Sequence, residues 1–184
     1  NTDRPYHEFD QPNPQSVYAA SKLAGEQAVA RHCPHHWIVR TAWLYGIHGR
    51  CFPAVILRAA RSGKALRVVA DQCGSPTFTR DLAAALWVII TYPGYGIYHV
   101  VNSGEATWYE LACAAVSEAG MHDVDVMPIP SAEWPSPARR PRFSVLTSIR
   151  PIPPSCPPMR HWRDALADYV TEMDRTEESD DRTA

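Results

Sequence analysis

Apolar positions along the chain alternate between a helical and a strand-like period. Val17, Ala20, Leu23, Ala24 and Ala28 fall near helical spacing and predict a helix over Ser16 to Arg31, broken at Cys33-Pro34-His35. The run Trp37 to Trp43 is short, apolar and rich in β-formers, which predicts a buried parallel strand. Gly46 and Gly49 turn the chain into an amphipathic helix over Phe52 to Arg61, closed by Gly63. A strand over Leu66 to Ala70 leads to a loop, Asp71 to Thr77, and a largely buried helix over Asp81 to Thr91. Ile97 to Asn102 reads as a strand, Thr107 to Ala119 as a helix, and Val124 to Ile129 as a further strand. Thr107 followed by Glu110 is a capping box. Ser131 to Pro158 is dense in proline and predicts extended or irregular chain, before a last helix over Trp162 to Val170. Strands alternating with helices indicate an α/β fold of parallel crossover units.

The chain has 184 residues, the size of one ordinary domain or of a piece of a larger one. At 45% apolar and 21% charged it has a globular composition, and no apolar run approaches the ~18 residues that span a bilayer. No membrane association is expected. Net charge is −2, which gives no bulk electrostatic reason to expect nucleic acid. From Thr171 to Ala184 the acids outnumber Arg175 and Arg182, and Met173 stands alone as a large apolar residue; this stretch is expected to be a disordered, solvated tail. The five cysteines are odd in number and carry no C-x-x-C, which points to a reducing cytoplasm rather than a disulfide framework or zinc site. His32-Cys33-Pro34-His35-His36 has the look of a metal tract, but Pro34 breaks the helix and no second ligand cluster accompanies it, so no metal is expected. Residue 1 is not Met and is not expected to be a translation start.

Candidate chemistry centres on Tyr18 and Lys22. Residues four apart on a helix share a face, so phenol and ammonium can project into one site. A nearby cation favours the phenolate, and a Tyr so tuned can give a proton to a carbonyl oxygen while hydride reaches the carbon. With eight Tyr and only two Lys, random placement would produce this pair about 0.09 times, so a chance pair on a solvated face is the alternative.

The surroundings carry a resemblance. Pro5-Tyr6-x-Glu8-x-Asp10, then Asn13-Pro14-x-x-x-Tyr18-x-x-Ser21-Lys22-Leu23-Ala24-Gly25-Glu26, resembles the extended short-chain dehydrogenase/reductase superfamily. Arg40-Thr41-Ala42-Trp43-Leu44-Tyr45-Gly46, Asp71-Gln72-Cys73-Gly74-Ser75-Pro76-Thr77 and Arg140-Pro141-x-x-Ser144-x-Leu146 are, in this order and spacing, similar to the dTDP-4-dehydrorhamnose reductase family. The likeness extends over about residues 5 to 170 and implies a doubly wound Rossmann-type fold with a small substrate-binding domain. It places the remaining part of the dinucleotide-binding domain at 1–47, an interleaved substrate lobe with the last sheet strands at 48–170, and the tail at 171–184.

By this resemblance Tyr18 is the proton donor to the C4 carbonyl of a nucleotide-sugar substrate. Lys22 lowers its pKa and, with Tyr18, holds the nicotinamide ribose of NADPH or NADH. Trp43 packs on the deoxyhexose, or is a plain core aromatic. Arg140 faces the nucleotide diphosphate, its planar fork suiting phosphate oxygens, or makes a loop-to-body ion pair. Arg40 faces a phosphate or pairs with an acid such as Asp81.

The chain also departs from the family. None of its nine Gly forms the Gly-rich dinucleotide turn, and Phe143 stands where a polar residue or Tyr is usual. The expectation is therefore the C-terminal part of a reductase, without most of the cofactor site, its uncovered sheet favouring self-association or a homodimer. The Pro-rich Pro151-Ile152-Pro153-Pro154 is expected to be a connector over the substrate site rather than a polyproline ligand. Two other readings stay open: a nucleotide-sugar epimerase or dehydratase, and a non-catalytic subunit like the regulatory subunit of methionine adenosyltransferase.

Overall fold

The computed structural model describes residues 4–134, 140–150 and 155–181. Its elements, in chain order, are α1 (Val17–His32), β1 (Trp37–Arg40), β2 (Leu44–Tyr45), α2 (Phe52–Arg61), β3 (Leu66–Val69), β4 (Cys73–Gly74), β5 (Thr77–Phe78), α3 (Thr79–Thr91), β6 (Gly96–His99), β7 (Ala106–Thr107), α4 (Trp108–Glu118), β8 (Val126–Ile129) and α5 (Trp162–Asp181). Strands β1 and β6, β2 and β5, and β3 and β8 pair in parallel, as crossover connections through helices require; β4 and β7 are antiparallel. In the first pair Trp37 lies opposite Gly96 and Arg40 opposite His99.

Local chemistry sets the helix starts. The Ser16 hydroxyl accepts the Ala19 N–H at 3.1 Å, satisfying an amide that a first turn leaves unpaired. At α4 the box is reciprocal: Thr107 Oγ1 accepts the Glu110 N–H at 3.1 Å and the Glu110 carboxylate accepts the Thr107 N–H at 2.7 Å. Helix α3 begins at Thr79, ahead of the expected Asp81.

Two expectations need correcting. The run from Trp37 to Trp43 is not one strand. The ladder stops at Arg40, Trp43 takes φ 45°, and Leu44 and Tyr45 pair with β5 instead. A residue in the left-handed region cannot continue an extended ladder. The acidic stretch after Val170 is not a disordered tail: α5 continues unbroken to Asp181. Met173 is buried, Asp174 pairs with Arg61 at 2.9 Å, and Glu172 pairs with Arg80 at 3.1 Å.

The densest core lies where α5 meets α4, α2 and β5. Leu57, Phe78, Leu111, Ala115, Ala165, Leu166 and Tyr169 are all 0–1% exposed there. Below it Arg160 ties α3 to α5, giving two hydrogen bonds to Asp81, at 2.9 and 3.0 Å, and one to Asp168. Asn102, fully buried, donates to Asp81 and accepts the Phe78 N–H, each at 2.8 Å. Within the described part of the Pro-rich stretch, Ser131–Glu133 form a 3-10 turn and 140–150 an extended strap that bridges to Tyr6 and Cys73. Pro151 to Pro154 lie outside the described residues. Among the described residues no helix is long and apolar enough to cross a membrane.

Candidate functional site

A groove of about 720 Å³ opens between α1 and the carboxyl end of β1. Tyr18, Lys22 and Glu26 line one wall, at successive four-residue steps along the helix; Arg40, Thr41 and Trp43 line the other. Tyr18 is 73% exposed, so its hydroxyl is open to anything that enters. The Ser21 hydroxyl donates to the Tyr18 carbonyl at 2.8 Å, turning inward to its own helix rather than into the groove. Thr41 Oγ1 is buried and has no hydrogen-bond partner among the described residues.

Arg40 does not pair with Asp81. Its guanidinium grips Glu26, with Nε 2.9 Å from Oε1 and a terminal nitrogen 2.6 Å from Oε2, and so fastens α1 to β1. Asp81 is taken by Arg160 instead. With Arg40 and Glu26 paired, Lys22 supplies the positive charge of the groove.

Trp43 is held on both faces. On one, Trp108 stacks in parallel, with ring centroids 3.5 Å apart and planes 8° apart. On the other lies Gly74. A Cβ built there would be 2.6 Å from both Nε1 and Cζ2 of Trp43 and nearer still to Cε2 between them. An approach in the ring plane would meet the two outer atoms first, so Gly74 sits over the ring. A parallel ring at 3.5 Å leaves no room for it on the same face, so the indole is clasped between the Gly74 backbone and Trp108. Phe52 packs tilted against Trp108, with ring centroids 4.7 Å apart. The left-handed backbone of Trp43, a strain of about 1–3 kcal/mol for a bulky residue, persists because these contacts over-determine it. Trp43 therefore offers the groove no free ring face.

The loop before α1 is fastened by polar contacts. Glu8, 6% exposed, accepts the His99 N–H at 3.0 Å, the Ser148 hydroxyl at 2.5 Å and the Ile149 N–H at 3.1 Å. Burial pushes its carboxyl up, but those three donors together with its own backbone N–H outweigh it, and the pKa settles below the usual value. The Arg4 guanidinium, at 2.6 and 3.0 Å, holds the Asp10 carboxyl down to about 2, and the His7 N–H also donates to it. The strap runs alongside. Leu146 N–H donates to the buried Ser75 hydroxyl at 3.0 Å, Ser144 to the Cys73 carbonyl at 3.1 Å, and Cys73 N–H to the Arg142 carbonyl at 2.8 Å. The Asp71–Thr77 and Arg140–Leu146 segments, both part of the family resemblance, thus bind each other.

Of the expected site residues, Tyr18, Lys22 and Trp43 share the groove, while Arg140 is exposed and does not line it. Glu8, Glu26 and Thr41 stood in the family-like motifs without a role assigned to them, and Trp108 was not named at all. Glu26 had a findable signal, lying four residues beyond Lys22 on the same face. Trp108 had none, because its stacking partner is remote in sequence. Among the described residues no group of three or more His, Cys, Asp or Glu is arranged to hold a metal.

Residues 1–175 match the family described as RmlD substrate binding domain. The chain is 42% identical over 172 residues to dTDP-4-dehydrorhamnose reductase from Mycolicibacterium smegmatis, covering 91% of this chain and 52% of that protein. It is similar in structure to a dTDP-4-dehydrorhamnose reductase from Clostridium acetobutylicum, with TM-score 0.89, 37% identity and coverage of 94% and 61%. The enzyme of that name from Bacillus anthracis, solved in complex with NADP, superposes with TM-score 0.85 at 37% identity, covering 92% of this chain and 61% of that one. The fold is thus α/β of Rossmann type, and the chain spans a little over half the length of the relatives it matches.

Proposed function

The chain belongs to the RmlD substrate-binding domain family, and from that premise we propose that it forms the substrate side of a reductase of dTDP-4-dehydro-L-rhamnose, yielding dTDP-L-rhamnose. One observation supports this most: Tyr18 and Lys22 stand on one helix face, open to the same groove as Trp43. The exposed Tyr18 hydroxyl gives its proton to the C4 oxygen of the sugar as C4 is reduced. Lys22 stabilises the phenolate left behind. The exposed hydroxyl of Tyr18 and the ammonium of Lys22 suit a ribose that offers both donors and acceptors. Tyr18 and Lys22 would hold the nicotinamide ribose of NADPH there, and that cofactor supplies the hydride. Arg140, exposed at the start of the strap, is the candidate for the nucleotide diphosphate. Five free thiols suit a cytoplasmic setting.

Tyr18→Phe is the test. Loss of a positioned general acid typically slows the chemical step about 10²–10⁴-fold. In the native protein, turnover of the 4-keto sugar is expected to fall by that order with KM for the sugar nearly unchanged. Turnover within about twofold of wild type would remove Tyr18 from the chemistry.

A further inference from the structure

We propose that Gly74 and Trp108 are positioning residues for sugar recognition, acting through Trp43. This rests on the proposed reading of the groove as a nucleotide-sugar site and adds what fixes its aromatic wall. Trp43 lines the groove, yet both its faces are occupied within the chain, by Trp108 at 3.5 Å and by the Gly74 backbone. Its backbone sits at φ 45°, a conformation that does not hold a bulky side chain in place unaided. The clasp sets which edge of the indole reaches the groove. The Asp71 to Thr77 segment gains a reason here: position 74 is glycine because any Cβ would enter the space of the Trp43 ring. Its neighbours hold it at that height, since the Cys73 N–H and carbonyl are bonded to the strap and the Ser75 hydroxyl accepts from Leu146. Trp108, at the first turn of α4, is set by the Thr107–Glu110 box and by Phe52. Three remote segments therefore converge on one side chain. What they position is an indole edge, whose partial positive charge suits the ring oxygen and hydroxyls of a hexose rather than its C–H face.

The experiment compares the affinity of the chain for dTDP-L-rhamnose with its affinity for dTDP, by calorimetry, while near-ultraviolet circular dichroism follows the couplet of the stacked indoles. Wild type is expected to bind the sugar nucleotide more tightly than dTDP. Gly74→Ala is expected to weaken the couplet and to lower dTDP-L-rhamnose affinity about tenfold, leaving dTDP within about twofold. Trp108→Leu should do the same, and Trp108→Phe should restore most of the loss. In a Trp43→Ala background Gly74→Ala should cost nothing further, because a residue acting only through Trp43 has nothing left to act on. Should Gly74→Ala fail to fold, the Trp108→Leu and Trp108→Phe pair carries the same comparison. A weakened couplet with an undiminished preference for the sugar nucleotide overturns the inference alone. Equal affinity for dTDP and dTDP-L-rhamnose in wild type overturns the reading of the groove, and the inference with it.

Discussion

Helices α1 and α5 reverse what their compositions suggest. Helix α1 carries the candidate chemistry and opens with a proper cap, yet none of its residues is buried. Val17 and Tyr18 on its first turn are 88% and 73% exposed. Helix α5 ends in a run of acids and carries no candidate chemistry, yet it buries Trp162, Ala165, Leu166, Tyr169, Val170 and Met173. These recur at the three- and four-residue steps of a single helix face. The difference lies in how each is held. Helix α5 is held by apolar surface removed from water, which contributes roughly 25 cal/mol per Å². Helix α1 is held from outside itself, by the Arg40–Glu26 clamp and by the Glu8 hub in the loop that leads to it. The candidate chemistry sits on the lightly buried element, where side chains remain available to a ligand.

The contrast breaks most sharply at Leu166. This side chain is 0% exposed among Leu57, Leu111 and Tyr169. Leu166→Ala removes buried methyl groups and leaves a void, a change that typically costs about 2–5 kcal/mol. Urea denaturation should show a loss of that size. A loss below about 1 kcal/mol would mean that α5 is not the seat of the core, and that its acidic end is as loosely held as its composition suggests.

A smaller effect is expected at Glu8, where the hold is polar. Glu8→Gln keeps the shape but replaces charge-assisted hydrogen bonds, worth about 1.5–3 kcal/mol, with neutral ones. The carboxyl lies below its usual pKa in the folded chain. Its contribution is therefore complete above the ordinary carboxylate range and is lost as pH falls through the folded value. Wild type should exceed Glu8→Gln in melting temperature at neutral pH, and the gap should close on acidification. A gap independent of pH between 7 and about 3 would show that the charge of Glu8 does not matter to the fold.

These contrasts also show which parts of the molecule local sequence could reveal. The Tyr18–Lys22 pairing was legible because helical periodicity alone puts residues four apart on one face. The capping box at Thr107 was legible for the same local reason. The order of the acidic segment was not. Its charge density reads as solvated chain, whereas Asp174 and Glu172 find Arg61 and Arg80, which lie on α2 and α3 far back in sequence. Met173 simply extends the face begun by Tyr169 and Val170. The partner of Arg40 was missed because several acids were open to it, and only the packing of α1 on β1 selects Glu26. The end of the strand at Arg40 was missed because nothing in an apolar, β-forming run announces that Trp43 turns left-handed; Gly74 and Trp108, both remote, impose that turn. Helical spacing alone anticipated one wall of the groove; of the other, the resemblance pointed to Trp43, and its orientation is a product of tertiary contacts.

The smallest effect is expected on the other side of the comparison, at Val17. This residue is 88% exposed in the first turn of α1 and contributes nothing to the buried core. Ser and Val differ little in helix propensity, so Val17→Ser should change stability by less than about 0.5 kcal/mol. The measurement gains force when it is repeated across protein concentrations. A lone chain gives a stability that does not depend on concentration, for wild type and variant alike. If a second copy covers the exposed face of α1, wild type will instead gain stability as concentration rises, and Val17→Ser will forfeit part of that gain because it removes apolar contact area from the interface. A concentration-independent loss above about 1 kcal/mol fits neither case. It would mean that Val17 packs within its own chain, and that α1 is held by burial after all.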